Sequence, residues 1–257
     1  MTDLETGDEW QISNFLWDEI QPQFLPRGSD VLYVLTAEKS AFVLRGPKSG
    51  KSFKQITLKD NQACAPQVSP DGRSIVFHSY RSHNWDLFSM PLKDLPSERI
   101  ETRLTSTSFI NEIHPHWSPD GDMIVYLSNR RGRGSSFYDL RVMDMNTGES
   151  EFITQGRHAS PDPVFSPAGD AIAFTSKESG FSALYTISPE GENERRISPG
   201  GRSAFFPAWS PDGARIAYIQ ESGVRAGTYD LYISAPDGSG RSKVSTLPCV
   251  LSPPAWY

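Results

Sequence analysis

A five-residue turn signature recurs along this chain at nearly constant spacing, and this repetition constrains the fold more than any other feature. The copies are VSPDG at 68–72, WSPDG at 117–121, FSPAG at 165–169 and WSPDG at 209–213, preceded by a degenerate FLPRG at 24–28. Their glycines lie 44, 49, 48 and 44 residues apart. Periods of about 40 to 50 residues are typical of blade-type repeats. The sequence therefore predicts a tandem repeat array.

Each repeat carries the same order of turn and strand signals. The Pro-Asp-Gly step predicts a tight turn, because proline fixes φ, aspartate bonds the backbone and glycine accepts a positive φ. Three runs rich in β-branched and aromatic residues follow the turn and predict strands, such as IVY at 124–126, DLRVM at 139–143 and EFIT at 151–154. With the segment before the turn, they make four antiparallel strands per repeat. This pattern predicts an all-β fold, a β-propeller of four-stranded blades.

Composition and repeat coverage favour one folded domain. The 20 Gly and 20 Pro suit a chain that turns often, and the 37% hydrophobic content supports a packed core. Residues 1–9 are acidic and are predicted to form a flexible tail, whereas residues 10–257 are predicted to form a single β-propeller domain. The repeats fall near 10–53, 54–101, 102–150, 151–194 and 195–241, with a partial repeat at 242–257.

The two ends of the chain leave the closure of the ring open. WQIS at 10–13 matches the fourth-strand pattern, and PPAWY at 253–257 matches the start of a repeat. A last blade built from both termini would remove exposed strand edges. Two geometries are compatible with these ends: a six-bladed ring whose last blade is incomplete, or a closure with five blades.

These repeats resemble the PD40 (WD40-like) repeats of the TolB family, whose consensus is Pro-x-Trp-Ser-Pro-Asp-Gly followed by an apolar strand and an Asp-Leu-Tyr strand. PAWSPDG at 207–213 and DLY at 230–232 match that consensus, and the resemblance covers about residues 10–257. It implies a propeller that binds other proteins, and it favours the six-bladed geometry of TolB over a closure with five blades. The sequence shows neither the N-terminal α/β domain of TolB nor a secretory signal, so the envelope role of TolB does not transfer automatically.

Charge and targeting signals exclude several kinds of partner. Lys and Arg number 25 against 31 Asp and Glu, and the net charge of −6 predicts no nucleic-acid binding. No signal peptide or long apolar run is visible, so we expect no membrane insertion and a cytoplasmic location by default, or a periplasmic one for a mature or excised chain. The two cysteines are too few for a disulfide framework. We expect a monomer without a cofactor.

One segment imitates a phosphate-binding loop. GPKSGKS at 46–52 has three residues between its glycines, where the phosphate-binding motif needs four. The segment also joins two predicted strands, so no helix N-terminus is available for a phosphate. It is predicted to be a turn within a blade.

The candidate binding site lies on the first strand of each repeat, which lines the central channel in a propeller. Residues two apart on a strand share a face, so His114 and His116 are expected to point the same way. Polar residues of the first four repeats are predicted to form a hydrogen-bonding channel mouth that binds a protein or peptide partner. The predicted contact set is Gln21, Gln23, Gln67, His114, His116, Arg157, His158 and Asp162.

Other interpretations of these residues stay open. Polar residues there also suit a structural role that satisfies channel water and backbone groups, and a metal site would draw on His114, His116 and Asp162. The sequence has no Gly-x-Ser-x-Gly nucleophile elbow, which favours a module without catalytic residues. A metal site wants three or four convergent ligands, and these few candidates favour a module without a bound metal. The alternatives are a carbohydrate-binding or polysaccharide-lyase-like propeller that uses the channel histidines with a metal, and the propeller part of a larger peptidase-type protein.

Two recurrent residue types are predicted to be structural because they occupy equivalent positions in successive repeats. The aspartates stand before the third strands and are expected to accept backbone hydrogen bonds from the adjoining turns, and the tryptophans are expected to pack between sheets. They are Asp86, Asp139 and Asp230, and Trp117, Trp209 and Trp256.

Overall fold

The computed structural model divides the chain into two compact units, residues 1–108 and residues 109–257. The residues it describes are 18–25, 30–37, 40–47, 53–57, 62–81, 83–92, 100–129, 137–156, 158–159, 162–178, 180–223 and 228–247. The predicted tail at 1–9 and the two matching ends, 10–13 and 253–257, lie outside this set. None of the described segments forms an apolar helix of membrane-spanning length.

The first unit contains two four-stranded antiparallel sheets, in which neighbouring strands follow the order of the chain. Sheet 1 consists of β1 (Asp18–Phe24), β2 (Asp30–Ala37), β3 (Ser40–Pro47) and β4 (Lys54–Gln55). Sheet 2 consists of β5 (Gln62–Val68), β6 (Ser74–Arg81), β7 (Asn84–Pro91) and β8 (Thr102–Arg103).

The second unit contains three antiparallel sheets, two of four strands and one of five. Sheet 3 consists of β9 (Glu112–Trp117), β10 (Met123–Ser128), β11 (Asp139–Asp144) and β12 (Ser150–Phe152). Sheet 4 consists of β13 (His158–Ala159), β14 (Val164–Phe165), β15 (Ile172–Glu178), β16 (Phe181–Ile187) and β17 (Arg195–Arg196), with β13 and β14 both paired to β15. Sheet 5 consists of β18 (Ala204–Trp209), β19 (Ile216–Glu221), β20 (Tyr229–Ser234) and β21 (Ser242–Leu247).

These sheets confirm the all-β prediction of antiparallel strands in groups of four. They are offset by one strand from the repeats counted along the sequence, because Lys54–Gln55 closes sheet 1 and Thr102–Arg103 closes sheet 2. Each predicted repeat after the first therefore begins with the last strand of the preceding sheet. The single-domain organisation and the number of blades at closure stay predictions.

A buried serine closes the turn between the first and second strands. In sheet 2, the Ser69 hydroxyl donates to Asp71 Oδ1 at 2.6 Å and accepts from the Ser74 amide at 3.0 Å, while Asp71 also accepts from the Arg73 amide. The same bonds recur in the turns of sheets 3 and 5. The Ser69 hydroxyl is the main cause that lowers the pKa of Asp71, since hydrogen bonds to a carboxylate favour its charged form.

Sheet 4 keeps this arrangement although its signature lacks the aspartate. Ala168 occupies the aspartate position, and the Ser166 hydroxyl donates instead to Asp170 Oδ1 at 2.7 Å. The same hydroxyl accepts from the Ala171 amide at 3.2 Å. Gly169 has a φ of +77°, a backbone conformation that favours glycine. A carboxylate two residues further along the chain thus replaces the missing one.

Aromatic rings on the second and third strands pair directly across the sheets. Phe77 and Phe88 are opposite each other in sheet 2, and their ring centroids lie 5.9 Å apart at an interplanar angle of 22°. Equivalent pairs in sheets 4 and 5 have centroid distances of 5.6 and 5.9 Å. Such pairs contribute about 0.5–1.5 kcal/mol beyond the burial of their area. Phe77 is fully buried, so this pair forms part of the core.

In sheet 3 an arginine replaces the third-strand ring. Arg141 is opposite the buried Tyr126, and its guanidinium lies 6.0 Å from the Tyr126 ring centroid and 4.6 Å from that of Phe152. One Nη2–H of Arg141 also donates to the Ser150 carbonyl at 2.9 Å. A planar cation between two rings preserves contact with the aromatic faces, so the pairing position tolerates a change of chemistry.

Side chains on the fourth strand and just after it form hydrogen bonds to the third strand. In sheet 2, Arg103 donates to the buried Asp86 carboxylate at 2.6 Å, and the Thr105 hydroxyl accepts from the Leu87 amide at 2.9 Å. Burial raises the pKa of Asp86 in spite of the arginine beside it. The equivalent hydroxyls that accept third-strand amides in sheets 1, 3 and 4 belong to Thr57, Thr154 and Ser198.

Among the recurrent tryptophans, Trp209 contacts a neighbouring sheet. Trp209 packs against Val164, and its Nε1–H donates to the Val164 carbonyl at 3.2 Å. Because Trp209 lies on β18 and Val164 on β14, this bond joins sheets 5 and 4 and confirms packing between sheets for Trp209. Trp256 lies outside the described residues.

Removal of the substitute carboxylate in sheet 4 is expected to destabilise the protein. Asp170→Ala leaves the Ser166 hydroxyl without its acceptor and should lower the free energy of unfolding by about 1 kcal/mol. Adding Ala168→Asp to that variant restores the usual signature and should recover most of the loss. Urea unfolding of the parent, the single variants and the double variant measures both effects. Additive losses in the double variant would contradict the exchange of one carboxylate for the other.

Candidate functional site

The residue before the repeat proline adopts a left-handed backbone conformation in four of the innermost strands. The register of pairing with the second strand is irregular at this point in β5, β9 and β18, and the innermost strand of sheet 4 is divided there into β13 and β14. The four residues and their φ angles are Ala65 (47°), His114 (51°), Asp162 (75°) and Phe206 (56°).

This conformation carries an energetic cost, and the proline that follows it interrupts the strand. A proline disfavours the right-handed helical region for the residue before it and removes one backbone donor from the strand, so a regular ladder cannot continue through it. Residues other than glycine in the left-handed region carry on the order of 1–3 kcal/mol of strain. His and Asp tolerate it better than most residues, whereas Phe206 does not belong to that group. Strained residues cluster at functional sites. Because this strain recurs on strands that carry polar side chains, the position before the proline is a candidate binding site.

His114 and Asp162 occupy equivalent positions of sheets 3 and 4, and their side chains meet. The His114 Nδ1 lies 3.1 Å from Asp162 Oδ1, and the two side chains are 18% and 33% exposed. When Nδ1 carries the proton it donates to the carboxylate, which leaves Nε2 as the acceptor nitrogen of the neutral ring. The pair therefore presents a fixed imidazole and a carboxylate at a partly exposed position.

His116 has a different environment from His114. Its Nδ1 faces the amide of Phe165 across a long contact of 3.5 Å, so the ring lies against sheet 4. Burial lowers the pKa of His116 to about 4, against smaller opposing effects of the Trp117 backbone and the Asp162 carboxylate. The ring is therefore neutral at neutral pH. Since the backbone between the two histidines is irregular, the strand alternation assumed from the sequence does not apply across His114.

The structure brings together three of the eight predicted contact residues, His114, His116 and Asp162. Gln23 on β1 and Gln67 on β5 are half-buried and belong to the first unit. For the remaining three the side chains are not described: Gln21 lies on β1, His158 lies on β13, and Arg157 is outside the described residues. The complete contact set stays a prediction.

The broken strand is the feature that the sequence argument missed, although the sequence contains its signal. Every repeat has a proline inside the apolar segment before the turn, and proline inside a strand indicates an edge or an irregularity. The residue types before it, His114 and Asp162 among them, also suit a positive φ.

Among the described residues, the site contains neither a group of metal ligands nor a reactive nucleophile. No group of three or more His, Cys, Asp or Glu side chains there has an arrangement that could hold a metal ion. Burial raises the pKa of the Cys64 thiol to about 11. A thiol with so high a pKa is protonated at neutral pH and is a poor nucleophile.

Comparison with known proteins identifies sequence relatives of the chain. A family model described as the TolB beta propeller domain matches residues 1–212 and 114–246. The Tol-Pal system protein TolB of Francisella tularensis subsp. mediasiatica (strain FSC147) is 28% identical over 218 residues, which cover 81% of this chain and 48% of that protein. The chain therefore spans about half the length of the curated relatives it matches.

Solved structures of similar fold include proteins of different activities. The putative TolB from Agrobacterium tumefaciens has a TM-score of 0.75 at 18% identity, with coverage of 98% of this chain and 91% of that one. An oligogalacturonate lyase from Vibrio parahaemolyticus has a TM-score of 0.66 at 18% identity, with coverage of 86% and 63%. Likeness at these identities shows the fold alone, and it confirms the predicted β-propeller.

Protonation of His116 is expected to destabilise the protein between pH 6.5 and about 4. The folded ring has the lower pKa, so the unfolded chain binds more protons in this window and the free energy of unfolding falls as the pH falls. The half-buried ring should contribute on the order of 1–3 kcal/mol to this fall. His116→Gln removes the titrating ring and should flatten the pH dependence, as measured by urea unfolding at about pH 7 and about pH 4.5.

A second histidine supplies the control for this experiment. His83 is exposed, and His83→Gln should keep the slope of the parent between the two pH values. Aspartates whose pKa is lowered, such as Asp71, lose their contribution to the free energy of unfolding only below this pH range. Equal slopes in the parent and in His116→Gln would contradict the burial of a neutral ring at this position.

Proposed function

We propose that this chain, which belongs to the TolB beta propeller domain family, binds a protein or peptide partner at the end of the channel lined by its innermost strands. The observation that carries the proposal is the contact between His114 and Asp162, two strained and partly exposed polar residues from neighbouring sheets. Curated relatives named as Tol-Pal system proteins support a role in a protein system for this chain as well.

The His114–Asp162 pair complements the chemistry of a peptide. An extended peptide presents N–H donors and C=O acceptors along its backbone. The Asp162 carboxylate accepts from an N–H or a cationic group, and the imidazole ring of His114 lies against that carboxylate. Because both side chains are held before a partner arrives, less conformational entropy is lost on binding.

The proposed contact set also includes the residue after the repeat proline in sheets 1 and 2. Gln23 and Gln67 carry amide groups that both donate and accept hydrogen bonds. We include Gln21, Arg157 and His158 in the proposed contact set on the basis of sequence position. His116 on β9 is assigned to supporting the site by packing against sheet 4, because its ring faces the Phe165 amide.

The relatives also bear on where the protein acts. They belong to the Tol-Pal system by name, which favours the periplasmic alternative over the cytoplasmic default for this chain. A monomeric state remains the expectation from the sequence.

Substitution of the pair is expected to weaken partner binding without unfolding the protein. Asparagine accepts a left-handed backbone at little cost, so His114→Asn and Asp162→Asn retain the fold while altering the imidazole or the charge. The partner is identified by capture from an extract of the source cell with the tagged parent chain, and its affinity is then measured by titration. Each variant should lose about tenfold or more in affinity, as expected for a central polar contact.

The matched control is His83→Asn, the same substitution at another left-handed residue, whose φ is +72°. His83 lies on the exposed hairpin between β6 and β7, so this variant should bind like the parent. The unfolding midpoints of all variants are compared with that of the parent. Unchanged affinity in both site variants would remove the pair from the interface, and equal losses in all three variants would show a nonspecific effect of the substitution.

A further inference from the structure

Sheet 1 contains a cavity that is separate in sequence from the partner site. It has a volume of about 340 Å³ and lies where the start of β2, the end of β3 and β4 meet. Its charged lining residues are Asp30, Arg45 and Lys54, and Phe53 and Ile56 add apolar walls. A cavity of this size is at the lower end of the range for small-molecule sites.

Arg45 is fixed in the cavity by hydrogen bonds that use only some of its N–H donors. Its Nε–H donates to Asp30 Oδ2 at 2.8 Å, and one Nη1–H donates to the Leu92 carbonyl at 3.0 Å. A guanidinium has five N–H donors in a fixed plane, so three remain. None of those three has an acceptor among the residues that the structure describes.

Lys54 brings a second cation to the same place. It lies directly opposite Arg45 in the pairing of β4 with β3, and like charges at opposed positions of neighbouring strands are destabilising. Its ammonium group makes no ion pair with the described part of the chain. Asp30 is the one carboxylate among the described lining residues, so these residues together carry one excess positive charge in a chain whose net charge is −6.

We propose that this cavity binds a small organic oxyanion. The guanidinium donors that have no acceptor among the described residues match two oxygens of a phosphate or carboxylate group, and the Lys54 ammonium adds a point charge. A bound anion is attracted to both cations and thereby offsets the repulsion between them. Phe53, whose ring is held edge-on against Tyr33 at 5.0 Å between centroids, favours a ligand whose oxyanion carries a flat or apolar group.

Binding by this cavity does not use the mechanism of a phosphate-binding loop. That mechanism depends on backbone amides at a helix N-terminus, whereas the donors here are side chains on two strands. The proposal is also independent of the partner site, since neither Arg45 nor Lys54 belongs to the predicted contact set. Failure of one proposal therefore leaves the other intact.

The test is calorimetric titration of the full chain with phenyl phosphate, inorganic phosphate and benzoate at low salt. The parent should bind phenyl phosphate with saturation at one site and more tightly than inorganic phosphate. Comparison with benzoate decides whether phosphate monoesters or carboxylates are preferred. Lys54→Gln should weaken binding of phenyl phosphate about tenfold, and Lys54→Arg should restore it because the charge returns.

Lys177→Gln is the matched control, since it removes the same charge from an exposed lysine of sheet 4. It should bind phenyl phosphate like the parent. Lys54 is exposed and unpaired with the described residues, so Lys54→Gln should also unfold at the same or a slightly higher temperature than the parent. The proposal is overturned by absence of saturable binding to any of the three anions, by equal weakening in both glutamine variants, or by tighter binding of inorganic phosphate than of phenyl phosphate.

Discussion

The structure depends on a proline placed inside the innermost strand of each sheet. Proline removes a ladder hydrogen bond and restricts the residue before it, so the strand bends at that residue instead of running straight through. Ala65, His114, Asp162 and Phe206, the residues before four of these prolines, have positive φ angles. The bend sets His114 against Asp162 and leaves His116 against the neighbouring sheet. The irregular backbone thus determines where these polar side chains lie.

The rest of each sheet is held by a few interactions that tolerate substitution. The buried serine of the turn needs a carboxylate within reach, and Asp170 supplies it in sheet 4 from a different position in the sequence. The aromatic pair needs a flat face, and Arg141 provides a cation above the Tyr126 ring in sheet 3. Because geometry is conserved while residue types change, the repeats remain alike in structure after their sequences have diverged.

Much of the fold could be predicted from the sequence because turn and strand signals repeat with one period, and each copy supports the others. The strands of sheet 3 follow the runs at 124–126, 139–143 and 151–154 closely. The side-chain directions of the site could not be predicted, because strand alternation fails at His114. The juxtaposition of Arg45 and Lys54 depends on the register between β3 and β4, which no local pattern specifies.

The hydroxyl that follows the fourth strand affects how the outer edge of the sheet opens. In sheet 2 the ladder between β7 and β8 is only two residues long, yet the Leu87 amide is bonded to the Thr105 side chain just beyond it. Amide hydrogen exchange reports local opening, and short edge ladders open at little cost in free energy. The outermost backbone can therefore fray and exchange with solvent while the strand inside it stays protected.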